Sequence, residues 1–311
     1  MSKGSGVVIL GIFVVDLAFR AGRLPVMGET ILGSGFKLGP GGKGSNQAVA
    51  AARAGAAVTF LTRVGDDEFG AVGRRTWAGE GIDIGSVITS QTQPTGAAFI
   101  FVSTESGDNA IIVEAGAAAE IDPADVERWS ATIGDAAVFV TQLEQPLSAA
   151  RHALAAARAK GTVTIFNPAP AVPVEAAMLA LCDYVTPNET EAAILTGIQV
   201  DTIDDARRAA DRLLADGAGC AVLTLGARGA LLHDGKRSIV VPSFPVDQVV
   251  DTTGAGDCFN GAFAAALAEG VEPLAAVRFG CAAASLSVTR PGTAPAMPTR
   301  AEILALVESR A

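Results

Sequence analysis

Residues 136–170 read AAVFVTQLEQPLSAARHALAAARAKGTVTIFNPAP, and this stretch decides the fold. Ala136 to Leu143 is an apolar run of strand length, and Val163 to Phe166 is a second one. Between them Leu147 to Lys160 is rich in alanine, which predicts a helix, and Gly161 is expected to end it. Two buried strands joined by a covering helix are typical of a parallel β-sheet with helices packed on it.

The same alternation is found elsewhere in the chain. Val7 to Leu10, Tyr184 to Thr186 and Ala221 to Leu225 predict further buried strands, and Asp204 to Asp216 predicts a helix. Since crossovers between parallel strands are right-handed, the pattern predicts an α/β fold, a three-layer αβα sandwich with a mainly parallel central sheet. We expect residues 1–311 to form a single domain with its ligand site at the carboxyl ends of the strands.

Two segments that lack the alternation of strands and helices are expected to form a small β-sheet lid. Residues 13–38 hold glycines and Pro25 between short β-prone pieces such as Thr30-Ile31-Leu32. Residues 86–113 hold three predicted strands with turn signals between them. These strands are Ser86 to Ser90, Gly96 to Ser103 and Asn109 to Val113. The two segments could pair into one projecting sheet.

Composition and charge exclude several classes of function. The 311 residues are 50% hydrophobic and 18% charged, so the chain can bury a full core. Lys and Arg number 23 and Asp and Glu 33, a formal net charge of −10, and nucleic-acid binding needs basic patches instead. The early apolar run from Val7 to Val15 is shorter than the roughly 20 residues of a membrane span, so no membrane partner is expected.

Cysteine and histidine usage restricts the chemistry further. The four cysteines are far apart, and no CxxC pair exists, which predicts reduced thiols in a cytoplasmic protein. They are Cys182, Cys220, Cys258 and Cys281. With two histidines, His152 and His233, a zinc site is not expected. Catalysis is therefore expected to use carboxylates, lysine, backbone amides and a bound metal.

The first chemical motif is GGKGSNQAVAAARAG, residues 41–55. Three glycines around Lys43 allow a close approach of the backbone to a ligand, and the helix expected from Ser45 onward places the preceding amides at its N-terminus. Lys43 and Asn46 can both face that ligand. Gly39 to Gly44 also matches G-x-G-x-x-G, but no buried strand leads into it and it is not a Walker A motif. A glycine-rich turn with a solvated lysine is the alternative.

The second motif is DTTGAGDCFNGAF, residues 251–263. Gly254, Ala255 and Gly256 precede a predicted helix and would present consecutive N–H groups to an anion. Asp257 lies in its first turn, beside that anion hole. A base that accepts a hydroxyl proton next to amides that stabilise phosphoryl charge is the arrangement for phosphoryl transfer to an alcohol. An ordinary carboxylate at a helix N-terminus is the alternative for Asp257.

Three weaker patterns complete the candidate site. Asn188 and Glu191 lie three residues apart at a helix start, where they could order a hydrated Mg²⁺ or simply form a capping box. Residues 224–229, TLGARG, form either a loop beside a nucleotide or a β-turn. Asp16 and Glu144 each end a predicted strand and suit contacts with hydroxyl groups.

Taken together, the two motifs resemble the signatures of the ribokinase-like carbohydrate kinases, the phosphofructokinase-B type, in the expected order and separation. Shorter matching stretches extend the resemblance through nearly the whole chain. They are Leu24-Pro25 to Thr30, Val64 to Asp67, Thr186 to Glu191 and Leu225 to Gly229. The resemblance implies an ATP-dependent sugar kinase with Mg²⁺, and with K⁺ as an activating cation. In this family the lid also makes the dimer contact, which implies a homodimer.

The resemblance also implies a role for each matching residue. Asp257 would be the catalytic base and Gly254, Ala255 and Gly256 the anion hole. The sugar would be held by Asp16, Gly42, Lys43, Asn46 and Glu144. The nucleotide would be bordered by Asn188, Thr224, Gly226, Arg228, Gly229 and Cys281, with Glu191 organising Mg²⁺ indirectly. The monovalent cation would lie among Asp251, Thr253, Ser287, Arg290 and Gly292, mostly on backbone carbonyls.

Three positions depart from the family's ribose-phosphorylating pattern. Val14 stands where an asparagine contacts the sugar, which removes a hydrogen bond and suits a less hydroxylated or bulkier substrate. Cys281 replaces a histidine near the adenine, and Ala296 replaces a serine near the cation site. The sequence therefore predicts a kinase acting on a primary hydroxyl of a small sugar, ribose-like or a ketohexose. The alternatives are a nucleoside kinase, a dinucleotide-dependent oxidoreductase and a non-catalytic sugar sensor.

Overall fold

The computed structural model describes residue 4 and residues 6–310; residues 1–3, 5 and 311 of the expected single domain lie outside it. Its strands are β1 Val7–Leu10, β2 Val14–Ala21, β3 Gly35–Gly41, β4 Val58–Leu61, β5 Arg63–Gly65, β6 Ile88–Ser90, β7 Thr95–Ser103, β8 Asn109–Gly116, β9 Val138–Thr141, β10 Val163–Phe166, β11 Tyr184–Val185, β12 Cys220–Thr224, β13 Ala230–His233 and β14 Ser238–Val241. Its α-helices are α1 Lys43–Arg53, α2 Glu68–Gly79, α3 Pro123–Asp135, α4 Leu147–Ala159, α5 Ala176–Leu179, α6 Glu189–Thr196, α7 Ile203–Ala215, α8 Ala255–Ala268, α9 Pro273–Ser287 and α10 Arg300–Glu308.

The central sheet confirms the predicted three-layer α/β architecture. Eight strands follow the order β14-β13-β12-β11-β10-β9-β1-β4. Along this order, neighbouring strands from β4 to β12 pair in parallel. The last two strands, β13 and β14, pair antiparallel and form one edge of the sheet. Alternate residues of β1 face opposite sides: Val7 and Ile9 pack in the layer of α1, α8 and α9, and Val8 and Leu10 in the layer of α3, α4 and α7.

The decisive stretch folds as its pattern predicts, with trimmed ends. Val163–Phe166 is the observed strand, whereas the run from Ala136 narrows to Val138–Thr141. The alanine-rich helix ends at Ala159, and Gly161 follows with a φ of 68°. A glycine tolerates this left-handed backbone, which explains why the chain turns there towards β10.

A second, four-stranded sheet forms from the two segments expected to make the lid. Its order is β3-β2-β7-β8, so strands from both segments pair in one sheet. We call these four strands the lid sheet. Two details of the prediction are wrong: Ile88–Ser90 pairs with β5 in a separate two-stranded sheet, and Thr30-Ile31-Leu32 forms no strand. Also, β3 runs on to Gly41, directly before α1.

Local packing brings the two chemical motifs to the same end of the central sheet. Helices α1 and α8 cross so closely at Gly261 that a Cβ there would lie 2.5 Å from the Gln47 carbonyl oxygen and 2.5 Å from the Ala50 Cβ. Glycine at this position therefore allows the N-terminal halves of the two helices to lie side by side. Among the described residues no helix is long and apolar enough to cross a membrane.

Candidate active site

A cleft of about 770 Å³ opens where the carboxyl ends of β10, β11 and β12 meet the N-terminus of α8. Such a position is where parallel α/β sheets bind ligands. The cleft brings together candidate residues from both motifs and from the proposed nucleotide side. They are Lys43, Asn188, Glu191, Thr224, Gly226, Gly229, Gly254, Ala255, Gly256, Asp257 and Cys281.

The loop before α1 requires glycine and meets the loop after β9. Gly42 has a φ of 86°, and a Cβ there would lie 2.6 Å from the Ile12 carbonyl oxygen, so a larger residue would be strained and would clash. The Lys43 amide donates a hydrogen bond of 2.7 Å to Glu144 Oε2. Residues 101 positions apart in the sequence are thereby joined beside the cleft.

Asp257 lies in the first turn of α8 and is 6% exposed. Its Oδ2 accepts a hydrogen bond of 3.0 Å from Asn46 Nδ2, and its Oδ1 accepts one of 3.1 Å from Gln47 Nε2. The two motifs are therefore in direct contact across 211 positions of sequence. A buried carboxylate held by two amide donors at the edge of a cleft can accept a proton from a bound hydroxyl.

The backbone before Asp257 partly matches the expected anion hole. Gly254 caps α8 with a left-handed φ of 77°, and no side chain caps this helix. The Ala255 amide donates to the Thr252 carbonyl oxygen at 3.2 Å, so it is not a free donor as expected. The amides of Gly256 and Asp257 have no acceptor among the described residues. Two first-turn N–H groups therefore remain to bind an anion at the helix N-terminus.

Three carboxyl groups, those of Asp257, Glu144 and Glu191, face the ammonium group of Lys43, and a fourth, that of Asp16, faces Asp257. Burial, then the charge of Asp257, raises the pKa of Asp16 to about 6. Burial raises the pKa of Glu144 to about 7, against the pull of Lys43. Burial also raises the pKa of Asp257 and of Glu191, although Lys43 opposes both shifts. Burial tends to lower the pKa of Lys43, but the carboxylates outweigh it and raise that pKa.

These shifts predict that the substrate-free protein gains thermal stability as the pH falls from 8 to 5. The folded protein holds Glu144 with a pKa of about 7 and Asp16 with a pKa of about 6, above their values in an unfolded chain. In this window the folded state binds more protons than the unfolded state, so stability rises on acidification. We expect the melting temperature, measured by calorimetry, to rise by a few degrees.

Two variants separate this effect from general charge effects. Glu144→Gln removes one of the shifted groups and should reduce the rise. Glu302→Gln should leave the rise unchanged, because Arg290 lowers the pKa of Glu302 to about 2, outside the window. A melting temperature that falls steadily from pH 8 to pH 5 contradicts the assignment of raised pKa values.

The nucleotide-side candidates divide into two groups. Asn188 and Glu191 form the capping box of α6: Asn188 Oδ1 accepts from the Glu191 amide at 2.8 Å, and Glu191 Oε2 from the Asn188 amide at 2.9 Å. Both still line the cleft, so the cap also holds them in place there. The Arg228 guanidinium instead bonds to the Asp201 carbonyl oxygen at 2.8 Å and to Glu189. It is not among the residues that line the cleft.

The segments expected to bind a monovalent cation are joined to each other. Asp251 Oδ1 accepts from the Thr253 amide and Oδ2 from the Gly292 amide, both at 2.9 Å. The Arg290 side chain pairs with Glu302, and its positive charge excludes it as a cation ligand, while the Ser287 hydroxyl donates to the Ala284 carbonyl oxygen. Main-chain carbonyl oxygens of the two joined segments are therefore the groups that fit a K⁺ ion here.

Mg²⁺ can be tested against the donor set in the same way. Within residues 4 and 6–310, no three His, Cys, Asp or Glu side chains are grouped to hold a metal ion. Mg²⁺ keeps several waters and binds through one or two carboxylates plus substrate phosphates, so it does not need such a group. Glu191, in the cleft and facing Lys43, fits that limited role.

Sequence reasoning missed three buried polar residues around Asp257. Gln47 donates a hydrogen bond to Asp257 and another to Asn167. Gln142 donates a hydrogen bond to Gln47. Asn167 and Gln142 each follow a strand of the central sheet, and this position at a carboxyl end was a signal for them. Gln47 lies next to Asn46 in the first motif, but nothing in the pattern indicates which way it faces.

Comparison with known proteins fits this geometry. A family model described as pfkB family carbohydrate kinase matches residues 5–300. A ribokinase of Haemophilus influenzae is 39% identical over 300 residues, with 96% of this chain and 97% of the relative covered. A deoxyribokinase of Salmonella typhi is 37% identical over 294 residues, with 94% and 95% covered. The structure of Arabidopsis thaliana ribokinase complexed with ribose and ATP superimposes with a TM-score of 0.92, at 32% identity and 99% coverage of both chains.

Fold and site thus define an α/β phosphotransferase class, and the matches specify it. The chain belongs to the pfkB family of carbohydrate kinases. The resemblance stated from the two motifs is confirmed, and so is the prediction of a sugar kinase. A dinucleotide-dependent oxidoreductase finds no support, since the glycine-rich run follows an exposed strand of the lid sheet rather than a buried one.

Proposed function

We propose that this protein transfers the γ-phosphoryl group of ATP to a primary hydroxyl of a small sugar. One observation carries the proposal: Asp257, a buried carboxylate, lies at the junction of the Lys43 loop, Asn46 and the free amides of α8. In this reaction the hydroxyl oxygen bonds to the γ-phosphorus, the bond from that phosphorus to the bridging oxygen of ADP breaks, and Asp257 accepts the hydroxyl proton.

Each remaining candidate has a place in this scheme. Asp16, Gly42, Lys43, Asn46 and Glu144 hold the sugar: four of them face Asp257, and Gly42 directly precedes Lys43. ATP occupies the cleft along Asn188, Thr224, Gly226, Gly229 and Cys281. The amides of Gly256 and Asp257 receive the transferring phosphoryl group, where electrostatic stabilisation is most effective. Arg228 reaches this region only through its bond to Glu189, which lines the cleft.

Two cations belong to the proposal. Mg²⁺, held by ATP phosphates and organised by Glu191, would neutralise phosphate charge. K⁺, held on main-chain carbonyls of the segments that include Asp251, Thr253, Ser287, Arg290 and Gly292, would order the loop before α8. Its support is the pair of hydrogen bonds that join these segments through Asp251.

For the substrate we propose a pentose, with 2-deoxyribose preferred over ribose. The relatives include proteins named ribokinase and deoxyribokinase at similar identity. Val14 is 2% exposed and lies two residues before Asp16 on β2, so the two side chains share the strand face that is turned towards Asp257. An apolar side chain there offers no partner to a hydroxyl group, which favours a sugar that lacks one.

An ADP-release assay over pentoses, deoxypentoses, ketohexoses and nucleosides, each with and without K⁺, tests the proposal. Turnover of a free pentose above all nucleosides supports it. Preference for adenosine or another nucleoside favours the nucleoside kinase alternative, and absence of ADP release with every compound favours the sugar sensor. Unchanged turnover without K⁺ removes the K⁺ site from the proposal.

We also propose that the protein is a cytoplasmic homodimer built from one domain. The four cysteines are buried and unpaired, as expected for a reducing compartment. The face of the lid sheet opposite the Asp16 side chain exposes a cluster of large apolar side chains. They are Phe19, Phe36, Leu38, Phe99 and Ile112. An apolar patch of this kind on a β-sheet is suited to burial against a second copy.

Phe36→Asp is expected to convert the dimer into a monomer. Phe36 is 59% exposed and packs on Phe19 with ring centroids 4.9 Å apart, so the charge enters the centre of the patch without disturbing the core. Light scattering after size exclusion should give the mass of one chain instead of two. Ile194→Asp, at a 47% exposed position on α6, is the matched control and should leave the dimer intact. A wild-type protein that is already monomeric overturns the proposal.

A further inference from the structure

A row of side-chain amides lies beneath the Asp257 carboxylate. Gln142 Nε2 donates to Gln47 Oε1 at 2.5 Å, and Gln47 Nε2 donates both to Asp257 Oδ1 and to Asn167 Oδ1 at 3.1 Å. Asn167 Nδ2 then donates to the Thr186 carbonyl oxygen at 3.0 Å. Gln142, Asn167 and Thr186 each follow a neighbouring parallel strand, β9, β10 and β11, so the sheet itself sets their spacing.

The chemistry of these groups fixes the direction of the whole row. An ionised carboxylate only accepts hydrogen bonds, so Gln47 must turn its NH₂ group towards Asp257. Its oxygen then faces Gln142, which must donate. Gln47 and Gln142 are fully buried, so no water shell compensates for a wrong orientation. Asp257 therefore sets the orientation of the Gln47 amide, and the hydrogen bond from Gln142 holds Gln47 in that orientation.

We propose that Gln47, held in place by the hydrogen bond from Gln142, positions the Asp257 carboxylate for proton transfer. Gln47 anchors Oδ1, while Asn46, which also belongs to the proposed sugar site, contacts Oδ2. When Asn46 turns to the sugar, Oδ2 is the oxygen that is left for the acceptor hydroxyl, and Oδ1 stays fixed. Gln142 touches neither sugar nor ATP in this arrangement and acts only through Gln47.

Other charges also face Asp257 and must be held constant in any test. They are Lys43 on α1, Asp16 on β2, Glu144 after β9 and Glu191 on α6. Two of them, Asp16 and Glu144, titrate between pH 6 and 7, so the informative quantity is the shift between a variant and the wild type. Removing an N–H donor from a carboxylate disfavours its charged form and raises its pKa.

Gln47→Met is the first test, and it rests on the kinase activity proposed above. The variant keeps side-chain length but loses both N–H groups. We expect kcat to fall by about 10- to 100-fold with KM for the sugar changed less than about threefold. We expect the acidic limb of the kcat profile to move up by about half to one pH unit. A wild-type protein without turnover defeats the proposed function, whereas an active wild type matched by Gln47→Met defeats the positioning role alone.

Gln142→Met and the double variant test the order of action. Gln142→Met should lower kcat and move the acidic limb in the same direction, by less than Gln47→Met does. Combined with Gln47→Met it should add nothing to either quantity, because Gln142 acts only through Gln47. Gln142 lies outside α1, so Gln142→Met still tests the proposal if Gln47→Met fails to fold. Additive effects in the double variant, or an unmoved acidic limb in both single variants, overturn the proposal.

Gln145→Met is the matched control. Gln145 is 3% exposed and lies on the same loop, but its Nε2 bonds to Thr141 Oγ1 at 2.8 Å and to the Gln142 carbonyl oxygen at 2.6 Å, not to Gln47. We expect a lower melting temperature with kcat within about twofold of the wild type and an unchanged acidic limb. An acidic limb that moves as far in Gln145→Met as in Gln142→Met assigns the effect to loop packing and defeats the proposal.

Discussion

Asp257→Asn will lower kcat by about 10²- to 10⁴-fold, the range that general-base catalysis contributes, while ATP affinity changes by less than about threefold. Asparagine keeps the size of the side chain but cannot accept the hydroxyl proton. In the proposed arrangement ATP lies along Asn188, Thr224 and Cys281, whereas Asp257 meets the sugar side of the cleft through Asn46, so binding of the nucleotide should survive. Steady-state kinetics and calorimetric titration with ATP measure the two quantities separately.

The chain offers a close control for this variant. Asp125 holds the same third position in the first turn of α3 and is 1% exposed, but it pairs with Arg63 away from the cleft. Asp125→Asn should therefore lower the melting temperature and leave kcat within about twofold. If Asp257→Asn keeps most of its kcat, Asp257 is an ordinary helix carboxylate and the proposed mechanism fails.

Several groups around Asp257 favour the charged form that a base needs. Burial raises the pKa of Asp257, and Lys43, Asn46 and Gln47 oppose that shift. Lys43 is in turn kept charged by Asp257, Glu144 and Glu191. A single lysine thus balances several carboxylates, and closure of the lid sheet over a sugar would strengthen each of these interactions by excluding water.

The central sheet was predictable because its signals are local. Val163–Phe166 is an apolar run bounded by Gly161 and by Asn167-Pro168, and no distant partner is needed to recognise it. The lid was predictable as a sheet but not in detail. Ile88–Ser90 looks like its neighbours in sequence, yet it pairs with Arg63–Gly65, and residues 30–32 form no strand.

The candidate site was predictable where a motif fixes backbone geometry. Glycines around Lys43 and before Asp257 indicated two helix N-termini, and the structure brings both to one cleft. The orientation of Gln47 was not predictable, because it depends on how α1 rotates against α8 at Gly261. The hydrogen bond from the Ala255 amide to the Thr252 carbonyl oxygen was not predictable either, because it depends on the backbone geometry of a single turn.

Val14→Asn will shift substrate preference towards ribose. In the wild type we expect kcat/KM for 2-deoxyribose to exceed that for ribose, because a buried valine beside Asp16 leaves a hydroxyl without a partner. An amide at position 14 can bond to that hydroxyl and is left unpaired when the hydroxyl is absent. The ratio of kcat/KM for ribose to that for 2-deoxyribose should therefore rise by at least about tenfold.

Val14→Ala separates hydrogen bonding from space in this experiment. Alanine enlarges the pocket without adding a polar group, so we expect the ratio to change by less than about threefold while the melting temperature falls. Equal ratios in Val14→Asn and the wild type would show that Val14 does not face the sugar. A rise in Val14→Ala as large as in Val14→Asn would instead mean that steric exclusion of the hydroxyl, rather than the missing hydrogen bond, sets the preference.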